Sequence, residues 1–309
     1  MSHLVAIVGP TGVGKSRLAL QLAQTFSGEI ISADSRQVYR YMDIATAKPT
    51  LEEQVLIPHY LIDVVNPDQD FSLAPYQAMT YEVIKEIQRR GKLPLLVGGS
   101  GQYVWSVIEG WQIPQVSPNP GLRRKMVERV ARKGNLALYK ELQEVDPTAA
   151  QRIDPRNVRR VIRALEVYHV AGVPFSQFQR RETLSFQTLI IGLTMEREEL
   201  YGKIDCRIDD MIRLGLVKEV QGLVERGYGF ELPSMSGIGY KEMGMFLQGK
   251  MDLPTAIQEM KFETHRLVRH QYSWFHLKDE RIHWFNVREA ISETTEGLVR
   301  EFLRCNSNS

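Results

Sequence analysis

The chain has 309 residues, 43% of them hydrophobic, enough for one large or two ordinary domains around a sizeable buried core. No run approaches the roughly 18 to 20 apolar residues of a membrane span, and the N-terminus enters an apolar run without a signal peptide, so a cytoplasmic protein with no membrane partner is expected. The net charge of +2 is small but uneven: residues 119–163 hold twelve Lys or Arg against five Asp or Glu, a net of +7 that leaves −5 elsewhere and suits a polyanionic partner.

Residues 4–8 form an apolar run that reads as the first strand. Behind it stands Gly9-Pro10-Thr11-Gly12-Val13-Gly14-Lys15-Ser16, and residues 15–26 follow with helical spacing. Strand, glycine-rich turn and helix form the setting that the pattern G-x-x-x-x-G-K-[ST] requires, because main-chain N–H groups and a helix N-terminus must converge on an anion. Lys15 would place its charge on a terminal phosphate, and the Ser16 hydroxyl would reach a Mg²⁺ bridging phosphate oxygens. A chance match in a strand-to-helix turn is the alternative. The loop alone does not say which phosphate ester it holds.

Residues 28–32 read as a second strand ending at Asp34-Ser35-Arg36-Gln37. Ligands of open α/β sheets gather at the carboxyl ends of strands, which sets Asp34 beside the phosphate loop; the competing reading is a helix cap. Residues 50–54 look like a loop or helical turn, residues 59–65 like a third strand, residues 73–90 like a helix closed by Gly91, and residues 92–97 like a fourth strand. Gly98-Gly99-Ser100-Gly101 is a second glycine-rich turn before another helix, which sets Ser100 at a strand's carboxyl end too. This alternation is a parallel-sheet pattern. An acid to hold the Mg²⁺ shell of a nucleoside triphosphatase is absent from the end of strand four, and Asp63 is a poor substitute because Val64 and Val65 continue its run.

Pro114, Pro118 and Pro120 interrupt the alternation, and the next 65 or so residues read as helices only. In the helix expected over 156–170, Val158, Ile162, Leu165 and His169 fall on one face and Arg156, Arg159, Arg160 and Arg163 on the other. That basic face is either solvated or set against phosphates. A fifth strand over 188–193, a long helix over 196–226 that includes Arg207, a flexible turn at 236–241, a helix over 251–277, a strand over 282–285 and a closing helix over 290–304 complete the chain, with 306–309 expected to be disordered. The fold class is therefore α/β: a P-loop NTPase-like parallel sheet flanked by helices in two parts, 1–115 and 186–309, with an all-helical insertion at 116–185. Cys206 and Cys305 are too few and too far apart for a disulfide framework or a zinc knuckle, and the histidines lack ligand spacing.

Several motifs in order carry a resemblance. The phosphate loop, Ile31-Ser32 with Asp34-Ser35 and Gln37-Val38-Tyr39, Ala45-Thr46-Ala47-Lys48-Pro49, Leu96-Val97-Gly98-Gly99-Ser100, Asp154-Pro155-Arg156-Asn157, Arg163 to Tyr168, Gly237-Ile238-Gly239-Tyr240-Lys241 and Arg269-His270-Gln271 together resemble the tRNA dimethylallyltransferases. The resemblance spans nearly the whole chain. It implies transfer of a dimethylallyl group from dimethylallyl diphosphate to N6 of the adenine at tRNA position 37, with diphosphate leaving. In that reading the loop, Lys15, Arg207 and Mg²⁺ on Ser16 stabilise the leaving diphosphate, Asp34 is the general base, and Ser100 bonds near the bridging oxygen. The anticodon stem-loop partner is then met by Asp34, Ser35, Arg36, Gln37, Ser100, Arg123, Arg159, Arg160, Arg163, Gly237, Tyr240, Lys241, Arg269 and Gln271, with Gln37 reading the flipped base. The family more often has Thr where Ser100 stands, and a Lys-Arg-Gln triplet at 269–271. The lack of a Cys/His zinc module resembles the bacterial form, and a monomer is expected. The competing readings are an adenylate isopentenyltransferase acting on free AMP or ATP, which needs no basic insertion, a P-loop nucleotide kinase, and a non-catalytic RNA-binding protein, for which Asp34 is superfluous.

Overall fold

A computed structural model describes residues 2–178, 181–288 and 291–305, which form two compact units, Met1–Ile108 with Ser185–Ser309, and Glu109–Leu184. The tail at 306–309, expected to be disordered, lies outside the described residues.

The first unit is built on a parallel sheet of six strands among the described residues: β1 (Ser2–Val8), β2 (Gly28–Ser32), β3 (His59–Tyr60), β4 (Leu93–Val97), β5 (Phe186–Thr194) and β6 (Ile282–Asn286). Their order is β3-β2-β4-β1-β5-β6, with every pairing parallel. Central β1 carries Leu4 to Val8 with no solvent exposure, the continuous apolar run of a strand covered on both faces. Register aligns Ile7 with Val97 and Val8 with Gly192, so β1 and β4 end together and deliver residues 9–16 and 98–101 to one edge of the sheet. The N–H of Gly98 donates to Ile7 O, and that of Ala33 to Val97 O, drawing the exits of β1, β4 and β2 together.

Helices α1 (Lys15–Phe26), α2 (Leu51–Leu56), α3 (Leu73–Arg89) and α4 (Gly101–Ile108) alternate with the first strands. Two expectations fail here and after β5. The third strand stops at Tyr60, because Leu61 and Asp63 adopt left-handed backbone (φ 61° and 56°) that no extended strand accommodates. The chain then pairs with residues 37–40 instead: Asp63 N–H donates to Gln37 O, Val65 N–H to Val38 O and Arg40 N–H to Val65 O. Asp63 is thereby spent on an ion pair with Lys48 at 2.6 Å. The long helix of 196–226 is likewise two, α9 (Arg197–Arg213) and α10 (Leu216–Glu225), broken at Gly215 with φ 98°.

In the second unit, α5 (Pro120–Lys133), α6 (Asn135–Val145), α7 (Pro147–Arg152) and α8 (Val158–Ala171) pack around Met126, Leu138, Leu142, Ile153, Ile162 and Leu165. Asn119, Asp146 and Asn157 cap α5, α7 and α8 with side-chain oxygens on main-chain N–H groups. The inward face of α8 is turned from the expected one: Val161, Ile162, Ala164 and Leu165 are buried, while Val158 is half-buried and His169 exposed. Glu166 is also fully buried there, among cations. Its carboxylate accepts from Arg123 Nε and Nη2 at 2.8 Å each, from Arg163 Nη1 at 2.7 Å and from the Asn119 N–H at 2.7 Å. Burial alone would push this carboxyl up, but these donors overcome it and hold it down at about 2. The remaining helices, α11 (Tyr240–Leu247), α12 (Leu253–Trp274) and α13 (Ile291–Cys305), belong to the first unit.

Candidate active site

A cleft of about 360 Å³ opens at the carboxyl edge of the sheet. Gly9 turns the chain out of β1 at φ 138°, and a Cβ there would meet Leu193 O at 2.4 Å, so only glycine lets the loop leave the sheet so close to β5. Beyond it Thr11, Gly12, Gly14, Lys15 and Ser16 line the cleft, while Pro10 and Val13 are buried. The Lys15 ammonium donates to Gly9 O (3.0 Å) and Pro10 O (2.7 Å) of its own loop. Its pKa falls to about 8, chiefly by desolvation, with Asp34 opposing the shift and Arg207 adding to it.

Asp34 stands at the end of β2 and lines the same cleft. One carboxylate oxygen accepts the Arg36 N–H at 2.8 Å, an Asx turn that fixes the side chain. Ser100 Oγ accepts the Ser35 N–H at 3.0 Å, binding the β4 turn to the loop that carries Asp34. Gln37 lines the cleft, yet its amide is occupied: Oε1 accepts from Ser32 Oγ at 2.8 Å, and Nε2 donates to the carbonyls of Thr46 and Ala47. Arg207 reaches the cleft from α9. Burial pushes its pKa down and Asp34 pulls it up, so the base candidate and both cations form one electrostatic group. Lys203, four residues earlier on α9, also lines the cleft and was not singled out from sequence; its one-turn spacing from Arg207 was the available sign.

Ser16 is exposed at the start of α1, and with Asp34 it offers hard oxygen donors. Mg²⁺ ordinarily keeps several waters and takes one or two protein oxygens plus substrate phosphates, so this sparse set fits an ion that arrives with a diphosphate. Among the described residues no cluster of three His, Cys, Asp or Glu side chains would hold a metal by itself.

The residues expected at an RNA surface divide. In the second unit Arg159 and Arg160 are exposed and, among the described residues, have no ion pair, whereas Arg163 and Arg123 are bound to Glu166 and Arg156 to Asp154. In the first unit Lys241 and Arg269 are exposed, and Gly237 packs on the Arg36 side chain, whose guanidinium donates to Pro233 O and Ser234 O. Tyr240 is buried and donates to Glu219 at 2.6 Å, a structural tie rather than a surface contact. Gln271 is buried as well, with its amide inside the phosphate loop. Both lie inward because α11 and α12 turn these positions toward the core.

Residues 37–278 match the family described as IPP transferase. The chain is 53% identical over 279 residues to a tRNA dimethylallyltransferase of Herpetosiphon aurantiacus, covering 90% of this chain and 89% of the relative. It is 48% identical over 303 residues to a tRNA dimethylallyltransferase of Dehalococcoides mccartyi, covering 98% and 93%. Among solved structures, the full-length tRNA isopentenylpyrophosphate transferase of Bacillus halodurans superposes with a TM-score of 0.71 at 39% identity, covering 98% of this chain and 96% of that one. A eukaryotic dimethylallyltransferase acting on tRNA gives 0.83 at 30% identity, with 100% of this chain and 80% of the other covered.

Proposed function

This chain belongs to the IPP transferase family, the tRNA dimethylallyltransferases, and we infer from that premise and from its cleft that it transfers a dimethylallyl group from dimethylallyl diphosphate to N6 of the adenine at tRNA position 37. The observation that carries the chemistry is the joining of Lys15, Arg207 and Asp34 in one cleft. The allylic C–O bond breaks and its electron pair stays on diphosphate. Lys15 and Arg207, both partly desolvated, stabilise that charge more strongly than they would in water. The N6–C bond forms as the amine's proton passes to Asp34, which answers the weak nucleophilicity of an amine conjugated with its ring. A Mg²⁺ held by Ser16 and diphosphate oxygens would supply further charge neutralisation.

The adenine must leave its stack to reach such a cleft, at a cost of a few kcal/mol, and the exposed Arg159, Arg160, Lys241 and Arg269 supply phosphate contacts to offset it. The same reading takes the enzyme as a monomer acting in the cytoplasm; among the described residues no helix is long and apolar enough to cross a membrane. Incubation with radiolabelled dimethylallyl diphosphate and an anticodon stem-loop, AMP or no acceptor tests it. Label should enter the stem-loop alone; label in AMP and not in RNA would overturn the choice of acceptor.

A further inference from the structure

Gln271 sits on α12, far from the phosphate loop in sequence, yet it is only 7% exposed and its side chain ends inside the loop. The Thr11 N–H donates to its Oε1 at 2.8 Å, and its Nε2 donates to Gly99 O at 3.1 Å. The amide's orientation follows from its partners, since a main-chain N–H only donates and a carbonyl only accepts. A Cβ at Gly99 would come within 2.3 Å of that Nε2, so the turn is shaped to admit it. One side chain thus joins the loop carrying Lys15 to the turn carrying Ser100, whose Oγ in turn holds the main chain next to Asp34.

We propose that Gln271 is a positioning residue of the reaction: by bonding the Thr11 N–H and Gly99 O it fixes the diphosphate loop relative to the loop bearing Asp34. This rests on the transfer reading above, and it replaces an RNA contact for Gln271. A single glutamine bonded to both loops sets the span between leaving group and acceptor, where small displacements cost large factors in rate. Removing it leaves the Thr11 N–H and Gly99 O without their partner beside the site.

Gln271→Met keeps the volume and removes both bonds. It should weaken inorganic diphosphate binding by tenfold or more and lower kcat, while Kd for the anticodon stem-loop stays within twofold. Gln271→Glu keeps the acceptor for Thr11 but cannot donate to Gly99 until it is protonated. Its kcat as well as its kcat/KM for the donor, relative to the parent, should therefore rise as pH falls toward about 4.3, the ordinary glutamate value; charge repulsion of the donor alone would move only kcat/KM. Unchanged diphosphate affinity and kcat in Gln271→Met, or a loss confined to RNA affinity, would overturn the proposal. If Gln271→Met does not fold, a flat relative pH profile in Gln271→Glu does the same. Diphosphate binding is read without turnover, so a parent that binds diphosphate but transfers no label counts against the transfer reading and not against the brace.

Discussion

The ammonium of Lys15 lies 2.7 Å from the carbonyl oxygen of Pro10, in the loop from which Lys15 itself projects. Hydrogen bonds to neutral carbonyls favour the ammonium, but burial outweighs them and the nearby Arg207 adds to it, so its pKa falls to about 8. Diphosphate favours the charged form, so its affinity is full below about 8 and is lost as pH rises through that value. An ordinary lysine would hold affinity to about pH 10. Titration of inorganic diphosphate binding between pH 7 and 10 checks this, and an affinity still level at pH 9.5 would refute it.

Asp34→Asn keeps the size and the turn but removes the basic oxygen. Turnover should fall by about 10² to 10⁴, the usual range for a general base, with stem-loop Kd within threefold of the parent. Single-turnover transfer and filter binding separate the two; lost RNA affinity with normal turnover at saturating RNA would show that the carboxylate serves binding.

Arg159 and Arg160 are exposed on α8 and, among the described residues, free of ion pairs. Reversal of both to Glu should weaken stem-loop binding and reduce the slope of log K against log salt by about one per lost phosphate contact. An unchanged slope means the two side chains are only solvated. Arg156→Glu, whose parent side chain is already paired with Asp154, should change the slope less.

Glu166 is a test of stability rather than catalysis. Its folded carboxyl is held at about 2 against an ordinary 4.5, so the stabilisation is complete above about 4.5 and is lost as pH falls from there toward 2. Replacement by Ala removes the carboxylate that Arg123 and Arg163 share, and these side chains, 42% and 28% exposed, regain part of their hydration. About 2 to 3 kcal/mol of stability should go, at the low end for a broken buried pair. Urea unfolding of the parent and Glu166→Ala at pH 7 and at pH 3 reads both effects, and the difference between the two proteins should shrink in acid.

The phosphate loop and the place of Asp34 beside it were legible because their chemistry coincides with their place behind strands, whereas Arg207 was singled out only through the family resemblance. Leu61 and Asp63 were not legible: apolar alternation reports side-chain pattern and is blind to a positive φ, so a two-residue strand looked like seven. Gly215 resembled a tolerated helical glycine until the left-handed turn showed it ending α9. Gln271 was legible as part of a motif but not in its direction, because helical spacing fixes a face without saying what that face meets. Glu166 was hidden for a related reason, since a lone acid among arginines reads as surface until its full burial is known.

The chain enters and leaves the second unit side by side: the Glu182 N–H donates to Gly110 O at 2.7 Å, and Trp111 forms a β-bridge with Arg181. A module whose two ends are clasped in this way can be cut out and its gap closed by a few glycines, without stretching either flank. The second unit is thus open to exchange, and a trimmed core offered an isolated nucleoside monophosphate would report whether the transfer chemistry needs that unit at all.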